Sequence, residues 1–197
     1  EGISKMGIDI SSNKFRLVRS NKVEDINMTL TQLLDDLKDQ KLAGYEIPKI
    51  LIVLDSIGMM SSKKEKEDLI SGSGKTDMTR AKQLNSMFRS ISSDLGYLDI
   101  PMVCCNHTYL SQGSMYPQEI SKGGMGLVYA ASTLGFLSKS KLKTGEEDDM
   151  DLGQSGISVL FKTSKNRLAK PKKIRFDISF LNGLNPYTGL DAFCRPE

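Results

Sequence analysis

The chain has 197 residues, 27 basic and 24 acidic side chains for a formal net charge of +3, and is 39% hydrophobic and 26% charged. That is the make-up of one ordinary globular domain; it excludes a fibre or a disordered tail, and the charge is too mild to establish a nucleic-acid partner. No apolar stretch approaches the roughly 20 residues that span a bilayer, and the polar start Glu1-Gly2-Ile3-Ser4-Lys5 has no signal-peptide core.

Three cysteines, two of them neighbours (Cys104 and Cys105), do not make a disulfide framework. The expectation is therefore a reducing, intracellular setting. A first residue Glu1 and an end just after Phe193-Cys194-Arg195 point to a fragment.

Phe15–Val18 is a short strand candidate. From about Glu24 to Leu42, the apolar residues Ile26, Leu30, Leu33, Leu34 and Leu37 recur at helical spacing, and Gly44 stands near the left-handed cap position. After Pro48, the run Lys49-Ile50-Leu51-Ile52-Val53-Leu54 reads as a strand buried on both faces, as in parallel sheets. A second helix is expected from Asp77, a plausible N-cap, to Leu95, with Ala81, Leu84, Met87, Phe88, Ile91 and Leu95 as its apolar stripe and Gly96 at its end. Pro101 to Cys105 is a second short buried run. Later strands are expected at about Thr133–Leu142, Gly156–Thr163 and Lys173–Leu181, the first two joined by a solvated acidic turn, Gly145 to Asp151. The order predicts an α/β fold: a mostly parallel central sheet flanked by helices, with an antiparallel C-terminal extension.

Both buried runs end abruptly in short polar side chains, Asp55-Ser56 in one and Asn106-His107 in the other. In an open parallel sheet, ligands bind outside the carboxyl ends of the strands. If the runs are neighbours, Asp55 and His107 meet at one edge. A carboxylate ending a hydrophobic strand suits Mg²⁺ on a nucleotide, because Mg²⁺ prefers hard oxygen ligands. The plainer readings are a turn or N-cap residue for Asp55 and a hydrogen-bonded structural residue for His107, the one histidine in the chain.

Ser71-Gly72-Ser73-Gly74-Lys75-Thr76 imitates the end of a P-loop, but the glycine the full pattern requires is Leu69, and the preceding segment is charged rather than a hydrophobic strand. Two long structureless loops are expected instead, Ser61–Thr76 and Thr108–Gly126. They carry Lys63, Lys64, Lys66, Lys75 and Lys122 with Tyr109 and Tyr116. Basic loops with aromatics suit single-stranded nucleic acid, whose phosphates need neutralising and whose bases stack; the plainer reading is a solvated surface. From Ser155 to Arg175 there are seven basic residues and no acid, with Lys165-Asn166-Arg167 in a turn where it could reach an anion on another subunit.

In order and spacing, Ile50 to Ser56, Ser62 to Asp68, Asp77-Met78-Thr79-Arg80-Ala81-Lys82, Asn106-His107-Thr108-Tyr109, Gly123-Gly124-Met125-Gly126 and Asn185 to Leu190 strongly resemble the RecA-like strand-exchange recombinases of tailed phages, the UvsX family. The resemblance covers about Met6 to Leu190. It implies a RecA-like ATPase core, with residues 1–197 a single partial domain. It implies a DNA-dependent ATPase using ATP and Mg²⁺, with Asp55 as the Walker B carboxylate and metal ligand and Ser56 and Asn106 beside the nucleotide. His107 would sense the γ-phosphate, and Lys165 and Arg167 would reach the neighbouring subunit's ATP.

The same resemblance makes Lys63, Lys64, Lys75, Arg80, Tyr109, Tyr116, Lys122, Gly123 and Gly124 DNA-binding residues. The implied partners are single-stranded DNA, homologous duplex DNA, further copies in a helical filament, and mediator and single-strand-binding proteins, with no membrane and a cytoplasmic location in the host cell. The family's P-loop and catalytic glutamate match nothing here, so the chain alone is expected not to hydrolyse ATP. The rival readings are a DNA-binding relative that uses no nucleotide, a RecA-fold helicase or clock-type ATPase, and a small P-loop kinase built on Gly74-Lys75-Thr76.

Overall fold

The computed structural model describes residues 9–10, 13–72, 79–110, 119–121, 124–143, 154–184 and 187–188. The acidic turn and the suggested N-cap Asp77 fall outside them. The chain gathers into two compact units, one of residues 18–130 and one of residues 1–17 with 131–197.

In the first unit, helix α1 (Val23–Leu42) buries Val23, Ile26, Leu30, Leu34 and Leu37, a stripe at the three- and four-residue spacing that puts side chains on one helical face. It ends in a Schellman cap: Gly44 has φ +86°, its N–H donates to Lys41 O, and the Tyr45 N–H donates to Gln40 O. Strand β1 (Ile52–Leu54) follows, then a 3₁₀ turn (Ile57–Met59), helix α2 (Lys63–Ser71) and helix α3 (Thr79–Leu98). Helix α3 turns Leu84, Met87, Phe88, Ile91 and Leu98 inward. These two apolar faces make one core with Ile57, Met60, Ile100 and Leu127. Each fully buried side chain such as Leu34 or Leu84 contributes about 1.5–3 kcal/mol by leaving water. Lys38 crosses between the helices to Asp94 at 3.1 Å and also binds Asp35 at 2.7 Å.

Strand β2 (Met102–Cys104) lies parallel to β1, with Ile52 opposite Met102, Val53 opposite Val103 and Leu54 opposite Cys104. Strands β3 (Thr108–Leu110) and β4 (Glu119–Ser121) form an antiparallel ribbon, and helix α4 (Met125–Ala130) closes the unit. In the second unit, β5 (Thr133–Lys143), β6 (Gln154–Asn166), β7 (Lys173–Ser179) and β8 (Gly183–Leu184) form one antiparallel sheet in sequence order. The α/β architecture with a parallel pair, flanking helices and antiparallel C-terminal strands is the expected one.

Several local expectations are corrected. Phe15–Val18 is not in a strand; among the described residues no ladder partner pairs with it. Strand β1 has three residues rather than six, and Val53 and Val103 are 60% and 52% exposed. Only one face of the pair is therefore covered within the described residues, where two were expected. Helix α3 runs past Gly96 to Leu98, because Asp99 adopts φ +55° and the Ile100 N–H returns to Leu95 O, closing the helix three residues later. Finally, the two segments expected to be structureless are partly ordered. Residues 63–71 are a helix, and 108–110 with 119–121 are a ribbon.

Candidate functional site

The parallel register fixes the site. With Leu54 opposite Cys104, both chains leave the sheet at the same edge, and Asp55-Ser56 faces Asn106-His107 there. Backbone hydrogen bonds tie the two exits together: the Cys105 N–H donates to Leu54 O, and the Ile57 N–H donates to Cys105 O, each at 2.9 Å. The Ser56 hydroxyl lies 3.2 Å from His107 Nε2. The Asn106 side chain accepts the His107 backbone N–H at 2.8 Å. Asp55 is exposed, as is His107, so both can meet a ligand from solvent. The Asp55–Ser56 peptide is cis.

Gly58, buried in the 3₁₀ turn, was not anticipated. A Cβ built on it would stand 2.5 Å from His107 Cδ2 and 3.2 Å from its Cβ and Cγ. Its place three residues after Asp55 was the only sequence signal.

Asp55 is the one candidate metal ligand, and among the described residues no group of three or more His, Cys, Asp or Glu side chains could hold a metal ion. A single strand-end carboxylate fits Mg²⁺ carried on a phosphate, since that ion is usually held by one or two carboxylates plus substrate oxygens and several waters. Next to the site, burial and then the neighbouring Cys105 push the Cys104 thiol up to about 11.

The candidate DNA-facing residues are dispersed. Lys63 and Lys64 open α2. The Ser62 hydroxyl accepts the Glu65 N–H at 3.0 Å and Glu65 Oε2 accepts the Ser62 N–H at 3.3 Å, a reciprocal capping box, while Gly72 closes the helix at φ +70°. Gly74-Lys75-Thr76, the part that imitates a P-loop ending, lies outside the described residues. The start of α2 is anchored from α1: Glu24 Oε1 accepts the Lys63 backbone N–H and the Gln83 side-chain N–H, both at 2.9 Å. Burial raises the Glu24 pKa, but hydrogen bonds led by Lys63 outweigh it and hold the carboxyl below its usual value. Lys63 Nζ is 3.9 Å from Asp25.

Arg80 donates from Nη1 to Met60 O at 3.2 Å, so one arm of its guanidinium braces the turn after β1. Tyr109, in β3, is 49% exposed. Gly124 has φ +84°, a left-handed backbone that explains glycine there, and Asn85 of α3 fills the space a Cβ on Gly126 would need. Lys75, Tyr116, Lys122 and Gly123 lie outside the described residues.

In the second unit, Lys165 and Arg167 stand at the end of β6, where the Arg167 N–H donates to Ser132 O and the Leu168 N–H donates to Asn166 Oδ1. Desolvation, then the adjacent Arg167 charge, lowers the Lys165 pKa.

No helix among the described residues is long and apolar enough to cross a membrane. No protein-family model matches the chain. Among solved structures, an ATPase domain is similar at a TM-score of 0.44 and 13% identity, over 79% of this chain and 51% of that one, a likeness too loose to carry an argument. In sequence the chain is 34% identical to the recombination and repair protein of Enterobacteria phage T4, over 163 residues that make up 82% of this chain and 40% of that protein. The chain thus spans about two-fifths of the length of the curated relative it matches, and it is similar to a recombination and repair protein over most of its own length.

Proposed function

We propose that this chain is the nucleotide- and DNA-coupling part of a RecA-like strand-exchange recombinase of the UvsX kind. The observation that carries the reading is the shared edge of β1 and β2, where an exposed carboxylate and the chain's one histidine lie at adjacent strand ends, with Ser56 Oγ on the imidazole. The 34% identity to a recombination and repair protein supports it.

In this reading Asp55 holds Mg²⁺ on ATP, and bound ATP supplies the phosphoryl chemistry and the ligand that tells two filament states apart. Ser56 and Asn106 orient His107 toward the terminal phosphate. Three residues separate the Cys104 end of β2 from Thr108, where β3 begins, so a contact at His107 biases the ribbon that follows it; such ordering of a segment by a phosphate contact is a known kind of switch. Lys63 and Lys64, with Tyr109, Tyr116 and Lys122, contact single-stranded DNA through phosphates and stacked bases. Lys165 and Arg167 reach an ATP phosphate held by the next copy in a filament, placing positive charge where negative charge develops. The two units belong to one ATPase core, which pairs the strand with homologous duplex.

His107→Ala, made in the protein expressed from the whole reading frame, tests this. Single-stranded DNA affinity, measured with and without Mg·ATP, is expected to lose its nucleotide dependence while the nucleotide-free affinity stays. An unchanged nucleotide dependence contradicts the reading. A wild-type protein that binds DNA equally well in both conditions favours a DNA-binding relative that uses no nucleotide.

A further inference from the structure

An exposed histidine on a strand exit ordinarily samples several rotamers within nanoseconds. His107 is exposed yet held on three sides. Its Nε2 meets Ser56 Oγ at 3.2 Å, its backbone N–H is taken by Asn106 Oδ1 at 2.8 Å, and its ring edge lies over the Cα of Gly58. The turn carrying Gly58 is itself fixed. The Ile57 N–H donates to Cys105 O, the Met59 N–H to Ser56 O at 3.2 Å, and the Met60 N–H to Ile57 O at 3.2 Å.

Glycine at this place is not explained by its backbone. The left-handed glycines among the described residues are Gly44, Gly72, Gly124 and Gly183, and Gly58 is not one of them. What distinguishes Gly58 is space: a Cβ there would stand 2.5 Å from His107 Cδ2, closer than carbon atoms approach. The flanking Ile57 is buried in the core, so the turn cannot simply retreat, and the ring is the part free to move.

We infer that Gly58 is a positioning residue for His107: its missing side chain is what lets the imidazole lie against the turn with Nε2 on Ser56. A ring seated before the ligand arrives leaves less freedom to lose on binding, the general benefit of preorganisation. The inference rests on the reading of His107 as the phosphate-facing group, and its test separates the two.

In the whole-frame protein the imidazole ¹H–¹³C signals of His107 are the set that vanishes in His107→Ala. In the ligand-free whole-frame protein, a nuclear Overhauser contact is expected between His107 Hδ2 and the Gly58 Hα protons, and Gly58→Ala is expected to shift the imidazole signals. Thermal melting across Gly58→Ala, His107→Ala and the double variant supplies the second measurement. Gly58→Ala lowers Tm in the wild-type background and lowers it markedly less once the ring is gone, the non-additivity of two residues in contact. With Mg·ATP as the probe, Gly58→Ala loses the nucleotide dependence of DNA affinity as His107→Ala does.

An absent Overhauser contact, unshifted imidazole signals in Gly58→Ala, or an equal loss of Tm in both backgrounds overturns the seat, because the glycine then serves the turn alone. The contact present and the cycle non-additive, with nucleotide dependence intact in both single variants, upholds the seat and overturns only the reading of His107.

Discussion

At the scale of single residues, side chains here do structural and candidate functional work at once. Glu24 illustrates this. Its carboxylate takes the first backbone N–H of α2 and the Gln83 amide, so the negative charge on α1 orients a neighbouring helix that carries Lys63 and Lys64. Its pKa is lowered from the ordinary 4.5. A carboxyl held below its unfolded value adds stability above that value and gives it up as pH falls through the folded one. Glu24→Gln keeps the shape and removes the charge. Its stability deficit against wild type is therefore expected to be widest above pH 4.5 and to close as the solution becomes more acid, read by denaturant unfolding across a pH series. A deficit that is constant with pH contradicts the role of the charge.

Asp55 and His107 were legible in the sequence because each follows a short apolar run, which is what a strand exit looks like. Gly58 was not, since a lone glycine after a strand also marks any turn; only the ring packed over it reveals its use.

At the scale of elements, the long helices were readable and the short pieces were not. The apolar stripes of α1 and α3 extend over several turns, and the residues buried in α3 are all among those expected except Leu98, which continues the same face three residues past Leu95. The two strands were found but overextended, because an apolar run shows hydrophobicity and not where a hydrogen-bonded ladder stops. Helix α2 was misread as loop because its nine residues are nearly all polar, so no period in hydrophobicity betrays it. The missed signal was the spacing of Ser62 and Glu65, a capping box whose two reciprocal bonds start the helix.

That device is testable. Ser62→Ala removes the cap and is expected to cost about 1 kcal/mol, with the loss confined to residues around α2. Amide hydrogen exchange should show faster exchange there while the core of α1 and α3 stays protected. Uniform loss of protection across both helices counts against a local cap.

At the scale of the whole molecule, the two units divide the proposed labour. The first carries the strand-edge site, the helix with Lys63 and Lys64, and the β3–β4 ribbon. The second carries the paired cations Lys165 and Arg167 on a wholly antiparallel sheet. The architecture was legible as α/β from the alternation of strand and helix followed by strands alone. Division into two contact units was not legible, since the linking residues near Ala131 and Ser132 carry no break in composition.

The central claim is that the carboxyl ends of β1 and β2 face one Mg·nucleotide. The most direct test follows the His107 imidazole signals, assigned by their loss in His107→Ala, by NMR as Mg·ATP is added to the whole-frame protein, beside an Asp55→Asn variant. A saturable shift of the imidazole signals is expected in the wild type, with the midpoint moved to higher Mg·ATP in Asp55→Asn. Imidazole signals that stay still while nucleotide binding is seen by calorimetry, or a midpoint indifferent to Asp55, would contradict it.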